Sequence, residues 1–365
     1  MDSKLLNKLN KRIEEGTLRS LSSFEGSVDF YSNDYLGATK FTFPLEGEKS
    51  AMLNGSSGSR LISGSNRFTE DCEKELASFF GTEAALVFNS GYDANLGLFS
   101  SILQKGDTIL YDEYIHASIR DGIRLGLLSN SYSFKHNNTT DLEKKLSLAS
   151  GTVYVSIESI YSMDGDIAPL EEIIELCVKY NAYLIVDEAH AAGVFGREGR
   201  GLVDSVIGSD KIFSRVITFG KAYGGHGACV IGSANLVQYL VNFSRSFMYT
   251  TALPPNTYSR IKNIVTDDRL HFQRTILNEN VLYFNSLFQD VKIDSAIISP
   301  IKLIKIGEVS KTKFISEKLQ KHKIAIKAIY SPTVPVGSEG IRICLHSFNT
   351  KEQIKMLYSI INTVL

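Results

Sequence analysis

Short apolar runs separated by amphipathic stretches organise most of the chain. The runs are Ala84–Phe88, Thr108–Tyr111, Val153–Ile157, Tyr183–Val186, Val216–Phe219 and Cys229–Ile231. They are short for helices and apolar at consecutive positions, as strands buried on both faces are. Between them, residues 67–80, 92–104, 117–128 and 170–180 place apolar side chains at helical spacing. Strands alternating with helices predict an α/β domain whose parallel sheet is covered on both sides. Near the N-terminus, Leu5, Leu6, Leu9 and Ile13 among charges predict an amphipathic helix over 3–16.

The pattern changes beyond Pro254-Pro255. A long helical stretch over 256–288 precedes strands at Ile301–Lys305 and Ile341–Leu345 and helices at 310–321 and 350–363. The expected division is an N-terminal helix and arm over 1–50, a large domain over 51–251 and a smaller α+β domain over 252–365. A chain of 365 residues accommodates that.

Composition narrows the function. With 43% hydrophobic and 22% charged residues, disorder and fibrous classes are excluded. Lys+Arg total 39 against Asp+Glu 40, so no overall field favours nucleic acid. Cys72, Cys177, Cys229 and Cys344 are scattered without a Cys-x-x-Cys pair, so neither a metal site nor a disulfide framework is expected. No apolar stretch approaches the roughly 18 residues of a membrane span. The charged N-terminus lacks a signal-peptide core. A reduced, cytoplasmic protein is the expectation.

Ligands of open parallel sheets collect at the carboxyl ends of the strands. Ser90-Gly91-Tyr92 follows the first run, and Asp112 and His116 follow the second. Glu158 and Ser162 follow the third, and Asp187, Glu188 and His190 the fourth. Thr218 and Lys221 bracket the end of the fifth. A lysine is ordinarily a solvated surface residue. Lys221, however, directly follows a buried strand and is flanked by Gly220, Gly224 and Gly225, and buried lysines are those recruited for Schiff bases. Taken singly, Asp187 reads equally well as a cap or ion-pair partner, and His116 and His190 as structural histidines. Ser90-Gly91-Tyr92 opens a helix, whose free N–H groups would form an anion site. A helicase-type ATPase reading of Asp187-Glu188-Ala189-His190 fails. The one Gly-Lys pair, Gly220-Lys221, is followed by Ala222, and Arg215 stands where the phosphate loop needs glycine.

From about residue 15 onward an ordered set of motifs resembles the α-oxoamine synthases, pyridoxal-phosphate-dependent enzymes of fold type I. The motifs are Ser32-Asn33-Asp34-Tyr35-Leu36-Gly37, Gly58-Ser59-Arg60-Leu61-Ile62-Ser63-Gly64, Asn89-Ser90-Gly91-Tyr92 and His116-Ala117-Ser118. Ser162-Met163-Asp164-Gly165-Asp166, Val186-Asp187-Glu188-Ala189-His190 and Thr218-Phe219-Gly220-Lys221 complete the series.

The resemblance implies the fold type I architecture, a mainly parallel sheet in the large domain with an α+β C-terminal domain. It also implies roles. Lys221 would hold the cofactor as an internal aldimine and later move protons at Cα. Asp187 would pair with the pyridine nitrogen. His190 and Ser162 would adjoin the ring hydroxyl, and His116 would stack on the ring. Ser90, Gly91, Tyr92 and Thr218 would hold the phosphate. Thr250 and Thr251 would reach the phosphate of a partner subunit, which implies a homodimer. Asn33 and Arg342 would bind the amino-acid carboxylate, which a planar guanidinium matches.

The implied reaction condenses an amino acid with an acyl thioester of coenzyme A or a carrier protein and releases carbon dioxide. Pro332-Thr333-Val334-Pro335 followed by Arg342 is similar to the member that uses L-alanine and a pimeloyl donor in biotin synthesis, with Arg19 on the acyl substrate. Members using glycine with acetyl donors or serine with palmitoyl donors stay open at this point. A catalytically silent homologue is disfavoured because Lys221, Asp187, His116 and His190 are all present.

Overall fold

Seven strands form the main sheet of a computed structural model that describes residues 2–19, 21, 23–43, 54–126, 130–206, 208–331 and 333–365. They are β1 (Ala84–Phe88), β2 (Thr108–Asp112), β3 (Asn130–Phe134), β4 (Val153–Glu158), β5 (Tyr183–Asp187), β6 (Ser214–Thr218) and β7 (Ala228–Gly232). Their order is β1-β7-β6-β5-β4-β2-β3. Side chains alternate across the sheet. Ile109, Tyr154 and Ile185 therefore join one apolar core with Leu98, Phe99 and Ile119. Leu110, Val155, Leu184 and Val186 join a second with Ile173 and Ile174. Both faces are covered.

Two features depart from the expected sheet. β7 runs antiparallel to both β1 and β6. Only residues 219–227 connect β6 to β7, too few for the crossover that a parallel neighbour requires. β3 was not expected at all. It is an edge strand, mostly solvent-facing and polar (Asn-Ser-Tyr-Ser-Phe), so it has no buried apolar run to reveal it.

The chain packs as two compact units. The larger comprises Leu36–Ser162 and Ile167–Arg274; the smaller comprises Met1–Tyr35, Met163–Asp166 and Thr275–Leu365. This differs from the linear division expected from the sequence, whose boundary at 50/51 lies outside the described residues. The segment after residue 252 stays with the larger unit through specific bonds. The Ala252 N–H donates to the Gly58 carbonyl at 3.0 Å, and the Arg260 guanidinium donates to the carbonyls of Ala38, Phe41 and Gly224. The expected helix over 256–288 is two helices, Pro255–Val265 and Arg269–Leu287. Asp267 interrupts them by accepting the Arg269 N–H at 2.8 Å. Of the expected helix 117–128, Ala117–Leu125 is helical and residues 127–128 lie outside the described set, as does Pro332.

In the smaller unit, Lys327–Ile329, Gly340–Cys344 and Ile301–Lys305 form an antiparallel sheet in that order. Val28–Asp29 pairs in parallel with Ile324–Ala325, and the Cys344 N–H donates to the Phe30 carbonyl at 2.9 Å. These bonds tie the N-terminal segment into this unit. Among the described residues, no helix is long and apolar enough to cross a membrane.

Lys302 is almost fully buried in this unit. Its ammonium donates to the carbonyls of Ala296 and Ile297 at 3.0 Å each. Burial pushes its pKa down from 10.5 to about 8. Between those values the unfolded chain binds more protons than the folded one, so stability rises with pH across that window. Denaturant titrations on either side of pH 8 should show this rise in the parent chain. Lys302→Met should remove its lysine-dependent part.

Candidate active site

Three neighbouring strands end in polar residues. Glu158 closes β4, Asp187 closes β5 and Thr218 closes β6. Parallel pairing puts Glu158 opposite Asp187, so the two carboxyls sit side by side at one sheet edge. The helix Gly91–Ile102 starts there after β1, and the loop after β6 carries Lys221. A cavity of about 240 Å³ opens among these groups. Ser90, Gly91, Tyr92, His116, Asp187, His190, Thr218 and Lys221 all line it. Residues distant in sequence converge because the strand ends lie on one edge of one sheet.

Asp187 is 5% exposed, and each of its oxygens meets an N–H donor. Oδ2 accepts from Asn95 Nδ2 at 2.8 Å and Oδ1 from the Ala189 N–H at 2.9 Å. Such donors replace the water that a buried carboxyl has lost. Asn95 also donates to Ser118 Oγ at 3.0 Å. The Ser118 N–H donates to His116 Nδ1 at 3.2 Å, which makes that nitrogen an acceptor and the ring neutral. Burial lowers the His116 pKa; Asp187 opposes this and Lys221 adds to it. Lys221 Nζ lies 2.9 Å from His190 Nε2. Glu158 is 2% exposed, and its Oε1 has no hydrogen-bond partner among the described residues.

At the other end of the cavity, Ser90 caps the helix by accepting the Asp93 N–H at 3.1 Å. The remaining first-turn N–H groups of a helix have no intrahelical partner and attract anions. A Cβ on Gly91 would come within 2.7 Å of Thr218 Cγ2, so only glycine lets the backbone approach here. Thr218 Oγ1 donates to the Ala189 carbonyl at 3.2 Å. The Tyr92 ring stays partly exposed and its hydroxyl donates to Asp121 at 2.6 Å.

Three of the expected cofactor-binding residues, Ser162, Thr250 and Thr251, do not line the cavity. Thr250 and Thr251 instead meet Asn89, whose Nδ2 donates to Thr250 Oγ1 and to the Thr251 carbonyl at 2.9 Å each. Ser162 is half-buried beyond the end of β4. Within the smaller unit, Arg342 Nη2 donates to Asn33 Oδ1 at 3.1 Å, and both line a cavity of about 420 Å³. Arg342 Nη1 also meets Cys344 Sγ at 2.9 Å. Arg19 is exposed and donates to Thr333 Oγ1 at 2.7 Å.

Asn95 and His226 line the large-unit cavity and carry no sequence signal named above; Ser118, from the motif His116-Ala117-Ser118, and Glu158 line it too, though neither had a role. Asn95 lies one helical turn beyond Gly91, a spacing that shares a helix face and could have flagged it.

Comparison with known proteins adds to this geometry. Residues 25–361 match the family model for aminotransferase class I and II. An 8-amino-7-oxononanoate synthase from Emericella nidulans is 35% identical over 369 residues, covering 92% of this chain and 89% of that protein. The crystal structure of 8-amino-7-oxononanoate synthase from Francisella tularensis aligns with a TM-score of 0.76 at 31% identity, covering 93% of this chain and 98% of that one. A serine palmitoyltransferase variant from S. paucimobilis, solved with pyridoxal phosphate and myriocin, aligns with a TM-score of 0.87 at 26% identity, covering 99% and 96%. A seven-stranded sheet with its polar residues gathered at one edge, matched along nearly its whole length, places the chain in the aminotransferase class I and II family, among the α-oxoamine synthases of fold type I.

Proposed function

We propose that the protein is a pyridoxal-phosphate-dependent acyltransferase of the 8-amino-7-oxononanoate synthase type. It would join L-alanine to a pimeloyl thioester, giving 8-amino-7-oxononanoate, carbon dioxide and coenzyme A or a carrier-protein thiol, in biotin biosynthesis. The observation that carries this reading is a buried carboxylate and a lysine in one cavity, in a chain whose relatives bear that name. The four cysteines are buried thiols without disulfides, which supports a cytoplasmic setting.

The cavity fits the cofactor on its own chemistry. It offers a held anion in Asp187, a lysine beside a histidine, and at Gly91 a backbone surface that a side chain would fill. Pyridoxal phosphate, when bound, supplies an electron sink for negative charge developing at the substrate Cα. Lys221 would attach the cofactor and move the Cα proton, with His190 orienting its amine. Asp187 would face the pyridine nitrogen, and the neutral His116 ring would lie against the cofactor ring. His190 and Ser162 would serve the ring hydroxyl. Ser90, Gly91, Tyr92 and Thr218 would bind the phosphate. Thr250 and Thr251, held by Asn89, would reach a partner subunit's phosphate in a homodimer.

Asn33 and Arg342 would take the carboxylate of the amino acid. The bond between them fixes the guanidinium before substrate arrives, which reduces the ordering cost of binding. Arg19 would meet the acyl donor.

Serine palmitoyltransferase is the second reading, because its structure superposes at a higher TM-score, 0.87 against 0.76. Thiol release separates the two. With L-alanine, glycine and L-serine tested against pimeloyl, acetyl and palmitoyl thioesters, we expect release with L-alanine and the pimeloyl donor. Release confined to serine with palmitoyl would replace this reading.

Two variants test the assigned roles. Lys221→Ala should lose the visible absorbance of the covalently held cofactor and turn over at least about a thousandfold more slowly. Full activity in that variant would refute the role of Lys221. Arg342→Lys keeps the charge but loses the planar fork. It should raise the KM for the amino acid about 10–100-fold, the worth of one charge-assisted hydrogen bond, and leave the KM for the thioester near the parent value.

A further inference from the structure

Glu158 and Asp187 are two carboxyls in register at adjacent strand ends, both buried and both lining the same cavity. Their partners differ. Asp187 has an N–H donor on each oxygen, from Asn95 and from the Ala189 backbone. Glu158 Oε1 meets no donor among the described residues. Asn95 Oδ1, on the same cavity, is also buried without a donor among the described residues. Two neighbouring carboxyls in a low-dielectric site do not both ionise, and the better-donated one keeps the charge. The unpaired oxygen of Glu158 is therefore where a proton is held most easily, since a carboxylic acid removes the burial cost of a second anion.

We propose that Glu158 is a positioning residue that stands in the site as a neutral carboxylic acid. It leaves Asp187 as the single anion of the pair and so sets the charge that the cofactor ring would meet. This rests on the proposed cofactor role of Asp187, but the protonation state can be read without it.

The surrounding charges agree. Burial is the largest influence and pushes the Glu158 carboxyl well above the usual range, with the charges of Asp187 and Asp112 acting in the same sense. Lys221 and the His116 N–H oppose it. The Tyr161 phenol also faces this carboxyl; burial raises its own pKa, so it adds no charge at neutral pH. An ionised Glu158 would set a second negative charge beside Asp187 and draw off the pairing that Asp187 would offer a pyridinium.

Infrared difference spectra of the full-length, cofactor-loaded protein test this directly. A neutral carboxylic-acid carbonyl band should be present at neutral pH, shift in heavy water and on ¹³C-glutamate labelling, and vanish in Glu158→Gln. Glu158→Ala should weaken pyridoxal phosphate binding about tenfold, as expected for the loss of one buried hydrogen-bonding group, and Glu158→Gln should recover most of it. A parent spectrum without the band, or the same band in Glu158→Gln, overturns the proposal even if the protein binds cofactor and releases thiol. A Glu158→Gln variant as defective as Glu158→Ala also overturns it. A parent protein that shows the band but binds no cofactor would instead refute the functional reading.

Discussion

The larger unit is arranged around one buried anion. A carboxylate almost out of water is costly unless donors replace the solvent it has lost. Asp187 obtains them from two directions: the turn just after its own strand gives the Ala189 N–H, and the helix after β1 gives Asn95. The second requires strand order. β1 lies at one edge of the sheet, three places from β5, and its following helix must run back over the strand ends for Asn95 to arrive. Sheet order, helix direction and the hydrogen bonding of one side chain are thus a single constraint. The same helix brings its N-terminus and Gly91 to the cavity, so an anion-attracting end and a held anion are placed by one element.

Ion pairs buried behind the cavity hold its frame. Glu188, next to Asp187, points away from the cavity and accepts from Arg215 Nε at 2.7 Å, while its other oxygen takes the Val203 N–H at 3.0 Å. A Cβ on Gly201 would fall 2.3 Å from that carboxylate, so the loop passes close enough that only glycine fits. Arg60 does similar work beside β1. It makes a two-pronged pair with Glu73 at 2.8 and 2.9 Å and also donates to the Tyr258 hydroxyl at 2.9 Å. Glu73 in turn accepts the Val87 N–H of β1 at 2.9 Å. A buried pair of this kind adds little net stability over an apolar substitute. Its value is geometric, because each arginine joins segments that apolar contact alone would leave free to slide.

The legible parts of the sequence were those where a local pattern decides the outcome. Six of the seven sheet strands show themselves because burial on both faces demands consecutive apolar residues, and the polar residues after them mark the ligand edge without further information. β3 was hidden because, unlike the equally terminal but buried β1, it faces solvent over most of its length and carries polar residues there. Asn95 was hidden because an asparagine in an apolar helix has no meaning until the strand order sets it over Asp187. The division into units was hidden for the same reason. Val28–Asp29 joins the smaller unit only through pairing with Ile324–Ala325, a contact that nothing near residue 28 predicts.

Local pattern also misleads where chemistry is shared between neighbours. Asp187-Glu188-Ala189-His190 reads as one motif, yet its three polar members have three separate tasks. Asp187 holds charge in the cavity, Glu188 ties down a loop through Arg215, and His190 sits 2.9 Å from Lys221. Alternation along an extended segment turns Asp187 and Glu188 to opposite sides, so adjacency in sequence separates them in space. Glu158 shows the converse. It is 29 positions from Asp187, unremarked by any motif, and in register with it because the strands that carry them pair residue by residue. A motif records which residues belong together in sequence. The pairing of strands decides which of them meet at the cavity.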